Sequence, residues 1–176
     1  MNFLMFYNAT WNTFLKKGLL LIPLCLSLAC AHDLTRLVPP ETHPPHMTFT
    51  VMRNYNTTWN AMLRAIANLL GHQVQSSLKK TGAIVLEPVT VMVEDYCDCG
   101  KIGEMPLTGP VKRETTIKLK SKAPQKTLVE ISCKYTTPYT WKDIYGKAVR
   151  TTTITCTSNG RFEQDLYRRL IRYIYP

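Results

Sequence analysis

Four cysteines offer the sharpest chemistry in this sequence: the run Cys97-Asp98-Cys99-Gly100, with Cys133 and Cys156 further on. Four thiols gathered from a loop and two strands can make disulfides or a tetrahedral four-cysteine zinc site. Structural zinc sites favour two residues between paired cysteines rather than one. Six cysteines in 176 residues also suit an oxidising compartment better than a reduced cytosol. Disulfides among Cys97, Cys99, Cys133 and Cys156 are therefore expected, with no metal and at most one of the four left as a free thiol. A Cys-x-Cys oxidoreductase is a weaker third reading. No thioredoxin-like βαβ pattern surrounds the pair, and no helix N-terminus is set to lower a thiol pKa. Cys133 lies in phase with Val129, Ile131 and Tyr135, and Cys156 with Ile154, so both should point into the core.

Other catalytic arrangements are missing from the sequence. It has no Gly-x-Ser-x-Gly elbow, no His-Glu-x-x-His pair and no phosphate-binding glycine loop. His72 falls at a helix-to-strand joint, where a structural role is the simpler expectation. Glu94, Asp95 and Asp98 form an acidic group without the oxygen-ligand spacing of a calcium loop. His32, His43 and His46 sit in a proline-rich stretch that does not fix their geometry. Neither an enzyme nor a cofactor is expected.

Residues suited to binding are more numerous. Tyr139-Thr140-Trp141-Lys142-Asp143-Ile144-Tyr145 reads as an aromatic loop within a connection spanning 137–148, with Trp141 and Tyr145 as interface anchors. Arg161, Arg168, Arg169 and Arg172 mark the polar side of a last helix, and Arg168 and Arg169 are read as partner-binding. With Lys112, Arg113, Lys118, Lys120 and Lys122 they contribute to a formal charge of +10, which favours anionic partners. Export of the chain disfavours nucleic acid as a partner.

The segments that must deliver and position these residues begin with an export signal. Lys16-Lys17 precede a short apolar run, Gly18 to Ala29, that ends at Cys30. The run is too short to span a bilayer comfortably, and polar residues follow at once. Leu26-Ser27-Leu28-Ala29-Cys30 resembles the lipobox of bacterial lipoproteins, with the preferred large residue one position late. That resemblance implies cleavage before Cys30 and acylation of Cys30, giving stable anchoring. Met1 to Phe14 is an apolar, amide-rich lead that such a signal does not need, and a mis-assigned start is expected there. Ala31 is not the aspartate of an inner-membrane retention signal, so outer-membrane delivery on the periplasmic side is the default. Loss of Lys16 and Lys17 leaves 20 basic and 12 acidic residues, a mature charge of +8.

The chain then divides into a signal (1–29), a lipidated cysteine with a Pro-rich tether (30–46) and one folded domain (47–176). Two Pro-Pro pairs bias the tether to extended polyproline II. The domain is read as α+β, an antiparallel sheet with two helices on one face in the order β-α-β-β-β-β-α. A strand over 47–53 leads to a helix capped by Asn56 or Thr57. That helix puts Trp59, Met62, Leu63, Ile66, Leu69 and Leu70 on one side and ends at Gly71. Strands over 72–77 and 83–93 flank a Lys79-Lys80-Thr81-Gly82 turn, the second interrupted at Pro88. Alternating strands over 113–122, 127–136 and 149–157 follow. Ser158-Asn159-Gly160 then opens a helix with Phe162, Leu166, Leu170, Ile171 and Ile174 inward.

Asn54-Tyr55-Asn56-Thr57-Thr58-Trp59-Asn60-Ala61-Met62-Leu63-Arg64-Ala65-Ile66, then Lys80-Thr81-Gly82-Ala83-Ile84 and the closing Asn159-Gly160-Arg161-Phe162-Glu163, resemble the repeat unit of BamC-type lipoproteins. The resemblance implies a helix-grip module and a place beside the outer-membrane β-barrel assembly machinery. One module is present where the family has two, and residues 94–113 are added. The expected function is a non-catalytic adapter or structural subunit of an envelope complex, joined to outer-membrane subunits and to the membrane through lipid. A secretion-system outer-membrane core is the competing complex. A periplasmic carrier of lipid or another small ligand is the alternative of a different class.

Overall fold

The computed structural model describes residues 37–40, 46–70 and 74–176. The export signal, Cys30, His32, His43, Gly71 and His72 lie outside the described residues. Among the described residues no helix is long and apolar enough to cross a membrane.

Strand β2 (His46–Val51) opens the domain, and helix α1 (Tyr55–Leu70) follows. Its cap is Asn54, two to three places earlier than the Asn56 or Thr57 expected from sequence. The Asn54 side chain accepts from the Thr57 amide at 2.9 Å, satisfying a donor that the helix itself cannot. Strands β3 (Val74–Leu78) and β4 (Ala83–Leu86) form a hairpin around Gly82. Gly82 has φ +72°, and a Cβ there would overlap the Leu119 carbonyl oxygen. The turn thus needs glycine both for its backbone and for its close approach to the next strand. Pro88 separates β4 from β5 (Val89–Met92), as the sequence suggested.

Two long strands dominate the remainder. β9 (Pro110–Ala123) and β10 (Lys126–Lys142) pair from Lys112–Thr136 to Ala123–Lys126. β11 (Ala148–Ser158) returns along β10, and helix α3 (Arg161–Ile174) closes the chain. Among the described residues every pairing is antiparallel, in the order β3-β4-β9-β10-β11-β6 (β6, Cys97–Asp98), with β2 added to β10 and β5 added to β9. This curled antiparallel sheet with helices is the α+β class expected, but the described residues carry three helices and more strands than the order β-α-β-β-β-β-α, because residues 93–109 fold into elements of their own.

Alternation sets which face is dry. Val111, Ile117 and Leu119 of β9 and Val129, Ile131 and Tyr135 of β10 are buried, whereas Lys118, Lys120 and Lys134 face water. Trp59, Met62 and Ile66 of α1 and Phe162, Leu166, Leu170 and Ile174 of α3 meet the dry face. The two helices also touch each other, and Arg169 of α3 donates to Asn68 of α1. Phe49 of β2 stacks edge-on to Tyr167 of α3 at 4.7 Å.

Residues 93–109 are built rather than looped out. Helix α2 (Val93–Tyr96) and strand β6 (Cys97–Asp98) come first, with β6 pairing the end of β11. Strands β7 (Lys101–Ile102) and β8 (Met105–Pro106) then make a small three-stranded sheet with β1 (Leu37–Val38). Part of the stretch read as an extended tether is therefore paired to the domain. His46, its last residue, already belongs to β2.

Candidate functional site

Three features concentrate the chemistry, and the register of β9, β10 and β11 places two of them side by side. Arg113 opposes Tyr135, and Tyr135 opposes Cys156. One alternation along, Thr115 opposes Cys133. All five are buried, as is Ser158, two residues beyond Cys156 on the same face.

The first feature is sulfur. Cys99 and Cys156 form a disulfide across 57 residues of chain. Cys97 and Cys133 are free and buried, so two thiols remain where at most one was expected. The fourth partner fails for a geometric reason. Cys133 is on β10 facing Thr115 Oγ1 at 3.6 Å, whereas the Sγ atoms of Cys97, Cys99 and Cys156 lie within 4.8 Å of one another. Cys133 and Cys156 do both point inward, as their phase predicted. Burial pushes the Cys97 thiol up to about 12, helped by the Asp98 and Glu94 carboxylates. Burial likewise raises Cys133 to about 12, with Glu163 adding to it. Both stay protonated at neutral pH and are poor nucleophiles as they stand.

The second feature is a buried polar patch that the sequence reading missed. Glu163, in the first turn of α3, accepts through Oε1 from the Ser158 hydroxyl at 2.8 Å, and Ser158 Oγ in turn accepts from the Gly160 amide at 3.1 Å. A carboxylate there is favoured by the helix dipole. Its Oε2, Arg113 Nε and Tyr135 Oη are buried without a partner in hydrogen-bond geometry among the described residues, although Ser158 faces the Tyr135 hydroxyl. Burial holds that phenol well above its ordinary range. The Arg113 guanidinium lies over Phe162 at 3.8 Å and Tyr96 at 5.6 Å, where ring faces replace lost water. Arg113, expected from sequence among the cations facing a partner, is therefore a core residue. Its parity with Val111 and Ile117 was the available signal. A cleft of about 390 Å³ opens beside Glu163, lined also by His46, Met47, Ser158, Asn159, Gly160 and Gln164.

The third feature is an arm. The expected connection 137–148 is mostly strand. β10 continues to Lys142, and β11 pairs with it from Tyr135–Cys156 to Lys142–Ala148. The β9 pairing stops at Thr136, so Pro138–Thr153 stands as a two-stranded ribbon beyond the sheet. Asp143 shapes its tip: its Oδ1 accepts from the amides of Tyr145 and Lys147, both at 2.9 Å. Gly146 takes φ +77° in the same turn. Tyr139 and Trp141 stack edge-on at 5.0 Å, so Trp141 is half-buried on the arm's own face. Tyr145 is 87% exposed and Ile144 91%.

The arginines divide. Arg168 is exposed, 3.9 Å from Asp165, while Arg169 is turned onto Asn68 and helps join the helices. Arg161 pairs with Asp95 at 3.6 Å. Asp98, beside Cys97, accepts from the Gly100 amide at 2.7 Å. No family model matches this chain, and no curated protein is similar to it in sequence.

Proposed function

We propose that this chain is a non-catalytic lipoprotein of the outer membrane, anchored through Cys30 on the periplasmic side, which acts as an adapter or structural subunit of an envelope complex of the β-barrel assembly type. The observation that carries the reading is the arm. A ribbon that leaves the sheet and presents Ile144 and Tyr145 almost fully to solvent has no role in packing its own domain. An exposed aromatic beside an aliphatic side chain is the composition of an interface anchor. Arg168 on the last helix remains as a cation for an acidic partner.

Three further points support the reading. The apolar run ending at Cys30 has the order of a lipoprotein signal. The Cys99–Cys156 disulfide is the usage of an oxidising compartment. A curled sheet gripping α1 and α3 on one face is consistent with a helix-grip-like arrangement.

Purification of the chain from membranes under mild detergent tests the proposal. A stoichiometric envelope complex should be recovered, and Ile144→Ala with Tyr145→Ala should deplete it while the domain stays folded. Full recovery with that double variant would place the interface elsewhere. A secretion-system core would be distinguished by which subunits are recovered.

A second reading, a small-ligand module, rests on the cleft at Glu163 and the unpartnered Oε2 beside it. Bound lipid in native mass spectrometry would favour it over the adapter.

A further inference from the structure

Cys97 and Cys99 are separated by one residue of β-type backbone, so their side chains leave the chain on the same face. β6 pairs Cys97 with Ser158 and Asp98 with Thr157. Continuing that antiparallel register brings Cys99 opposite Cys156, the residue to which it is bonded. Cys97 is then the diagonal neighbour of Cys156 on the same dry face, a separation that side chains bridge across paired strands. All three residues are buried, and their Sγ atoms lie within 4.8 Å of one another.

We propose that Cys97, Cys99 and Cys156 form a thiol–disulfide exchange centre in which Cys156 is the shared sulfur, bonded to Cys99 in this structure and to Cys97 after exchange. Only the small fraction of Cys97 that has lost its proton attacks, as a thiolate, at Cys156 Sγ, so the exchange is slow at neutral pH and quickens as pH rises. A Cys97–Cys156 bond forms as the Cys99–Cys156 bond breaks, and Cys99 leaves as a thiolate that takes up a proton. One disulfide and one thiol are present before and after, so no oxidant or reductant is consumed. Cys133 takes no part, because its sulfur faces Thr115 instead.

The position of the bond decides what is pinned. Gly100 follows Cys99 and lies so close to β1 that a Cβ there would overlap the Val38 carbonyl oxygen. Lys101 and Ile102 next pair with Val38 and Leu37. The Cys99–Cys156 bond therefore fastens the 99–102 segment, and with it Leu37–Pro40, to the end of β11. Transfer of the bond to Cys97 keeps β6 fastened and releases the chain from residue 99 onward.

Peptide mapping of the full chain tests the exchange, because cleavage before Asp98 separates Cys97 from Cys99. Folded protein held in a buffer of reduced and oxidised glutathione, then acid-quenched, should yield a Cys97–Cys156 peptide beside the Cys99–Cys156 peptide. The Cys99→Ser variant treated with oxidised glutathione should close Cys97–Cys156, two thiols being oxidised as one glutathione disulfide is reduced to two thiols. Only Cys99–Cys156 in the wild-type digest, or a link from Cys156 to Cys133, would overturn the proposal. So would a folded Cys99→Ser protein that keeps Cys97 and Cys156 free. If Cys99→Ser does not fold, the wild-type digest alone decides.

Discussion

At the scale of single residues, the two buried thiols make the domain's stability depend on pH. A cysteine in the unfolded chain ionises near 9.0, whereas Cys133 in the fold is raised to about 12. Below pH 9 both states keep the proton and the contribution is flat. Between these values the unfolded state binds fewer protons, so stability falls as pH rises, by up to about 1.4 kcal/mol per pH unit per thiol. Chemical denaturation at a series of alkaline pH values should therefore show a shallower decline for Cys133→Ser than for wild type. Parallel slopes would mean that the thiol is not enclosed. The same disulfide assignment predicts two alkylatable thiols among Cys97, Cys99, Cys133 and Cys156 after denaturation without reductant. Ser158 invites a separate measurement. Ser158→Ala removes the one hydrogen bond to Glu163 Oε1 and should cost about 1–3 kcal/mol, the penalty of an unsatisfied buried acceptor.

The arm is the element whose behaviour is least fixed by the core. An isolated two-stranded hairpin is marginally stable in water, so this one depends on continuity with β10 and β11 and on pairs across the ribbon. Tyr139 opposes Thr152, Trp141 opposes Arg150, and the Thr140 and Thr151 hydroxyls meet at 3.0 Å. Trp141→Ala should therefore loosen the arm through lost contact with Tyr139, read as faster amide exchange at residues 138–153 with the sheet core unchanged. Tyr145→Ala should leave that exchange unchanged, since its ring contributes to the surface rather than to the ribbon's own packing. Loss of protection in β9 as well would show the arm to be part of the core. Helix α3 behaves in the opposite way. Phe162, Leu166, Leu170 and Ile174 commit one side of it to the sheet, and Arg169 commits part of the other side to α1.

At the scale of the molecule, part of the basic excess is paired across strands. On the wet face of the sheet Lys118 opposes Glu130 and Lys134 opposes Glu114, while Lys112 contacts Glu114 at 2.7 Å. Cross-strand pairs of opposite sign offset only part of that face's positive charge, Lys120 facing Leu128 instead, and contribute little stability each, because they are exposed. Membrane attachment in the proposed function should come from lipid at Cys30 and not from charge. Cys30→Ser should abolish metabolic lipid labelling and leave the protein soluble or unprocessed, whereas raised salt should not release the wild-type chain. Release of wild type by salt alone would make the attachment electrostatic.

The sequence by itself determined helices α1 and α3, the strand faces and the inward direction of Cys133 and Cys156, because these follow from local periods of 3.6 and 2 residues. Trp59, Met62 and Ile66 in α1, and Val129, Ile131 and Tyr135 in β10, are buried as those periods required. The inward position of Arg113 was also legible in its parity, but a charged residue in a strand reads as solvated until Phe162 and Tyr96 arrive from distant segments to cover it. Only the tertiary structure decided which cysteines pair. Disulfide formation depends on the distance between sulfurs, set here by the register of β6 against β11 and not by spacing along the chain. The same holds for the arm. Thr137 to Lys142 resemble a loop in composition because Pro138 and the polar residues weaken the strand signal, and pairing with the Thr-rich β11 overrides that local preference.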